Sequence, residues 1–172
     1  LAFLHRFNQG ACLADDMGLG KTIQVLAFIQ HLKINKELKQ PILLIAPTSV
    51  LTNWTREAFA FTPKLSVAEH YGPDRSCTST GIKEIVKKVD ILITSYGLLH
   101  RDKELLQAID WQGVIIDEAQ AIKNPNSKQS QATREIVKNA KAIPFRIALT
   151  GTPVENRVSE LWSLMDFLNP LV

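Results

Sequence analysis

The stretch LADDMGLGKTIQ, residues 13–24, decides how the rest of the chain is read. It follows the short apolar segment GACLAD (10–15) and runs into TIQVLAFIQHLK (22–33), which is apolar nearly all round and so predicts a buried helix. A glycine turn between a strand and a helix gathers backbone N–H groups and the positive end of a helix dipole around one point, the physical requirement for holding phosphate. Gly18 and Gly20 let the backbone approach closely, Lys21 has the reach for β- and γ-phosphates, and the Thr22 hydroxyl suits a magnesium ion. The loop departs from the pattern G-x-x-x-x-G-K-[ST] at one place, where Asp15 stands in the first glycine slot.

Outward from the loop, short apolar runs alternate with helical patterns. PILLIAP (41–47) is a continuous apolar run bounded by prolines, as expected of a strand covered on both faces. VLTNWTREAFAF (50–61) places Val50, Trp54, Ala58 and Phe61 on one stripe of a helix, with Thr48 or Ser49 as its cap. LSVAEHY (65–71) is a weaker strand, and YGPDRSCTSTG (71–81) is rich in turn formers and predicts a surface loop. DILITSY (90–96), WQGVIIDEA (111–119) and FRIALTGTP (145–153) predict strands; LLHRDKELLQAI (98–109), SKQSQATREIVKNA (127–140) and VSELWSLMDFL (158–168) predict helices. This alternation implies a parallel sheet with helices on both faces, and ligands of such sheets bind beyond the carboxyl ends of the strands.

Two further segments fall at such ends. VIIDEAQ (114–120) delivers adjacent carboxylates: Asp117 suits a magnesium ion, and Glu118 suits orienting and deprotonating an attacking water. ALTGTP (148–153) presents Thr150 and Thr152 around Gly151; alone it reads as a polar strand exit, and beside the acids it could sense a γ-phosphate. Phosphoryl transfer depends mainly on positioning and charge neutralisation, which these residue types supply.

The 172 residues suit one globular domain, and the net charge of +3 (20 − 17) is too small to argue for nucleic acid. Cys12 and Cys77 form no C-x-x-C pair, which argues against zinc and favours two free thiols. No apolar run reaches the ~18 residues of a membrane span, and no signal peptide is present. LAFLHRF at the start reads as a helix already under way, so the chain is expected to be part of a longer protein.

Taken in order, LADDMGLGKT, ILLIAPTSVLTNW, ILITSY, VIIDEAQAIKN and LTGTPVENRVSELWSLMDFLNP resemble motifs I, Ia, Ib, II and III of superfamily-two helicases. They are most similar to the Swi/Snf-type (Rad54-like) DNA-dependent ATPases, over almost the whole chain, and ADDMGLGKT with its aspartate is the form of the loop that group uses. The resemblance implies a RecA-like three-layer α/β sandwich over residues 1–172, the first of two lobes, with ATP and Mg²⁺ as ligands. Nucleotide is then expected at Asp16, Met17, Gly18, Leu19, Gly20, Lys21 and Thr22, metal at Thr22 and Asp117, and catalysis from Glu118, Lys21 and Gln120. Gln120, Thr150, Gly151 and Thr152 would couple nucleotide state to lobe movement, and Thr48, Ser49, Asn53, Thr94, Ser95 and Tyr96 would face DNA. Trp54, on the buried stripe, is expected to pack rather than stack on a base. Gln120 stands where many relatives carry histidine; it can hydrogen-bond but not titrate.

The implied protein is a monomeric, intracellular translocase on double-stranded DNA, cytoplasmic or nuclear, that remodels protein–DNA complexes and touches no membrane. Its second lobe would supply arginine fingers, worth ~10³–10⁵ in rate in comparable systems. Without them the chain is expected to hydrolyse ATP very slowly and not to translocate. The other readings are a strand-separating helicase, a restriction-type motor subunit, and a nucleotide-binding interaction module without turnover.

Overall fold

The structure is a computed structural model that describes residues 1–15, 19–139, 145–151 and 158–169, without the side chains of residues 139 and 158–160. Six strands form one sheet: β1 (Ala11–Ala14), β2 (Ile42–Ala46), β3 (Val67–His70), β4 (Ile91–Ser95), β5 (Gly113–Ile116) and β6 (Phe145–Thr150). Every pairing is parallel, in the order β1-β6-β5-β2-β4-β3. The order fixes the functional geometry, because the chain segments leaving β1, β2, β5 and β6 all emerge at one edge, side by side.

The pleat divides the core in two. Leu43 and Ile45 of β2, Val114 and Ile116 of β5 and Ala148 of β6 face one layer; Ile42 and Leu44, Ile115, and Ile147 and Leu149 face the other. The second layer is covered by α2 (Lys21–Ile34) and α3 (Leu51–Phe61). The first is covered by α4 (Ser79–Val86), α5 (Tyr96–Arg101), α6 (Lys103–Gln107), α7 (Lys128–Asn139) and α8 (Val158–Leu168). A short α1 (Ala2–Arg6) packs Leu4 against the α2 layer. The expected three-layer sandwich is therefore present, with all of its described strands parallel.

Several local expectations need correction. Helix α3 begins at Leu51 after a 3₁₀ turn over Thr48–Val50, and neither Thr48 nor Ser49 caps it. Its buried stripe is Leu51, Trp54 and Ala58, while Phe61 is 56% exposed, because the stripe drifts off the sheet at the last turn. Within the segment read as a loop, Thr78 accepts a hydrogen bond from Gly81 N–H and starts α4, whose Ile82 and Val86 are buried. The single helix expected over 98–109 is two. Between α5 and α6, Asp102 turns inward to accept bonds from His70 Nε2 (2.8 Å) and Arg75 Nε (2.8 Å), and this buried cluster breaks the helix. Cys12 and Cys77 are both free, as expected.

Candidate functional site

Gly20 is the residue before α2 and adopts a left-handed backbone (φ +75°), a conformation open to glycine at no steric cost. The first turn of α2 consequently starts at Lys21 and Thr22, so its N–H groups open toward the edge of the sheet where β1 ends. A cleft of about 330 Å³ lies there, lined by Gly20, Lys21, Thr22 and Ile23 from the α2 entry, Asp117 and Glu118 from the end of β5, Val50 from the 3₁₀ turn, and Asn53, Trp54 and Glu57 from α3. Lys21 Nζ donates to the backbone oxygen of Asp15 at 2.6 Å, which holds the ammonium beside the end of β1.

Asp117 is held from several sides. Its backbone N–H bonds to Ile45 O of the adjacent strand at 2.8 Å, and its own Oδ1 accepts from Glu118 N–H at 2.8 Å. Oδ2 accepts from the indole Nε1 of Trp54 at 2.8 Å, and the hydroxyl of Tyr96 donates to its backbone oxygen at 2.7 Å. Burial pushes the carboxyl above its ordinary range; the Glu118 charge adds to that shift, while the bonds from Trp54 and Glu118 and the charge of Lys21 oppose it. Burial also raises the Tyr96 phenol well above its ordinary value, with Asp117 and Glu118 reinforcing the effect, so Tyr96 stays a neutral donor. One carboxylate and one hydroxyl, Asp117 and Thr22, border the same cleft. An all-oxygen pair of this kind fits a magnesium ion that takes its remaining ligands from phosphate and water.

Glu118 follows with a left-handed backbone (φ +49°, ψ +58°), which turns the chain sharply off the strand into a 3₁₀ turn, Ala119–Ile122. Its side chain accepts a hydrogen bond from Gln120 Nε2, and Gln120 Oε1 accepts one from Thr150 Oγ1 at 3.1 Å. A Thr150–Gln120–Glu118 relay thus joins the ends of β6 and β5. It contains two of the residues expected to couple the nucleotide to movement.

The remaining expected residues divide. Thr48 and Ser49 are exposed on the 3₁₀ turn, and Leu19 is 61% exposed beside the loop. Asn53 lines the cleft and donates to Glu57 at 2.7 Å. Thr94, Ser95 and Tyr96, expected toward DNA, are buried and committed inside the lobe: Thr94 donates to His70 O, Ser95 caps α5 through Leu98 N–H, and Tyr96 holds Asp117. A strand end in this sheet is roofed by the next helix, which turns these polar groups inward. Gly151 follows β6; Asp16, Met17, Gly18 and Thr152 lie outside the described residues. Sequence reasoning placed Trp54 in the core and missed its bond to Asp117. It also missed Glu57 as a wall of the cleft.

Comparison with known proteins supplies the context. The model of the SNF2-related domain matches residues 1–172. YwqA of Bacillus subtilis (strain 168) is 51% identical over 169 residues, covering 98% of this chain and 18% of that protein. The ISWI chromatin-remodeling complex ATPase ISW2 of Saccharomyces cerevisiae is 39% identical over 172 residues, covering 99% of this chain and 15% of its own length. Among solved structures, the Sulfolobus solfataricus SWI2/SNF2 ATPase core in complex with double-stranded DNA superposes with a TM-score of 0.83 at 45% identity, covering 98% of this chain and 33% of that one. The chain thus spans under a fifth of these two curated relatives and a third of the solved core.

Proposed function

The chain belongs to the SNF2-related family, and from that premise we propose that it is the ATP-binding lobe of a DNA-dependent ATPase that translocates on double-stranded DNA and remodels protein–DNA complexes. The observation that carries this reading is the single cleft in which the entry of α2 faces the Asp117–Glu118 pair. Similarity to a remodelling ATPase and to an ATPase core solved on DNA supports the DNA-directed part.

In this reading the N–H groups at the start of α2 and the Lys21 ammonium bind the phosphates. Thr22 and Asp117 hold magnesium, whose charge offsets that on the phosphate oxygens when it is bound. Glu118 orients the attacking water and takes its proton, while Gln120 and Thr150 hold Glu118 in register with β6. Thr48 and Ser49 meet the DNA backbone. The partners are double-stranded DNA and a second lobe of the same polypeptide, and the reading carries an intracellular location with it.

The test is equilibrium binding of a fluorescent ADP analogue, with magnesium, to the 172-residue chain and to Lys21→Ala. Saturable binding that Lys21→Ala weakens at least ~10-fold supports the reading; binding indifferent to Lys21 overturns it. Robust DNA-stimulated hydrolysis by the 172-residue chain alone would refute the dependence on a second lobe.

A further inference from the structure

Trp54 is 1% exposed, and its indole ring is packed into the α2–α3 layer. Its one polar atom leaves that layer to meet Asp117 Oδ2 at 2.8 Å, across 63 positions of sequence. A carboxylate on a short side chain is a soft rotor about its last bond, because that torsion has broad minima. Here each oxygen has a fixed donor, Glu118 N–H on Oδ1 and Trp54 N–H on Oδ2, so the plane of the group is set. Each oxygen keeps acceptor capacity for a further partner in the cleft.

Resting on the nucleotide reading above, we infer that Trp54 is a positioning residue for the metal-holding carboxylate: its N–H fixes the rotation of Asp117, and its packing fixes the N–H. The ring cannot swing away, because it is enclosed. Outer partners that orient a metal ligand carry about 10–100-fold in metal affinity. Trp111 supplies an internal comparison. It is 2% exposed and donates its N–H to Leu106 O at 2.8 Å, but it lies in the opposite core layer and faces no cleft residue.

The experiment titrates magnesium against a fluorescent ADP analogue on the 172-residue chain and on Trp54→Phe and Trp111→Phe, with thermal unfolding of each. Phenylalanine keeps a ring and removes the N–H. Trp54→Phe is expected to need about ten times more magnesium for half-maximal binding, with binding in chelator unchanged. Trp111→Phe is expected to lose stability and keep the wild-type midpoint. A wild-type midpoint in Trp54→Phe, or an equal shift in Trp111→Phe, overturns the role of Trp54 and leaves the nucleotide site standing. Absence of magnesium-dependent binding in the unmutated chain overturns the nucleotide reading itself, and the inference with it. Should Trp54→Phe fail to fold, the unmutated chain decides through its indole N–H resonances. There are three tryptophans, and Trp111→Phe and Trp162→Phe assign Trp54 by elimination. Its resonance must move when magnesium is added to the nucleotide complex; a stationary one overturns the inference.

Discussion

Replacing Glu118 with glycine is predicted to make the lobe more stable while removing the base we propose for it. The residue sits at φ +49° and ψ +58°, the left-handed region, where an L side chain crowds the following carbonyl at a cost of roughly 1–2 kcal/mol. Glycine adopts that conformation freely but surrenders about 0.5–1 kcal/mol more backbone entropy on folding. The informative reference is Glu118→Ala, which removes both the charge beside Asp117 and the bond from Gln120 and keeps a Cβ on the left-handed backbone. Against it, Glu118→Gly is expected to gain about 0.5–1 kcal/mol, or ~2 °C in midpoint temperature for a domain of this length. Urea unfolding at constant m-value, with calorimetry in the absence of nucleotide, measures the difference. Lys36 calibrates it: it lies just beyond α2 at φ +58°, far from the cleft, so Lys36→Gly should gain a similar amount without touching the site. If Glu118→Gly is no more stable than Glu118→Ala while Lys36→Gly gains, the backbone at Glu118 stores no strain and the reasoning fails.

Other outcomes follow from the same structure. A Cβ at Gly113 would fall on the ring of Phe145, itself pinned edge-on by His5 and Phe28, so Gly113→Ala should cost about 1–3 kcal/mol, and Phe145→Leu should recover at least about 1 kcal/mol of it in a double-mutant cycle. For Asp102, burial alone would raise the pKa, but hydrogen bonds from Arg75 and His70 outweigh it and hold the carboxyl below its ordinary 3.8. The unfolded chain therefore binds more protons in that window, and the stabilisation is complete above the ordinary value and lost as pH falls through the depressed one. Asp102→Asn should unfold more easily at neutral pH and show a flatter stability profile in acid, read by denaturation at stepped pH. Thr78→Ala should cost about 1 kcal/mol by removing the cap of α4, measured by urea unfolding.

The sheet was legible because its central strands are compact apolar runs between turn formers, and β2 at Ile42–Ala46 is buried throughout as its composition demands. That the α2 entry and the acidic pair border one cleft was legible because both fall at the carboxyl ends of parallel strands. What sequence could not show was set at a distance. The break at Asp102 depends on His70 and Arg75, 32 and 27 positions away, and no local pattern announces it. Helix α4 hides behind Ser-Cys-Thr-Ser-Thr-Gly (76–81), where Thr78 reads as part of a turn-rich stretch by composition and is a cap by position. Periodicity correctly buried Trp54 and was silent on where its single N–H would point. The polar ends of β4 looked outward because sequence has no way of showing that α5 closes over them.

The bond from Lys21 Nζ to Asp15 O turns the loop into a competitor for its own ligand. In the proposed reading, an arriving phosphate must displace that carbonyl from the ammonium, so the site gains less than the full ammonium–phosphate attraction. A small anion with one or two oxygens to offer recovers little from that exchange. A polyphosphate, which engages the ammonium, the α2 N–H groups and the metal together, recovers much more. In the proposed reading, the resting position of this one side chain therefore works against free phosphate and in favour of a polyphosphate.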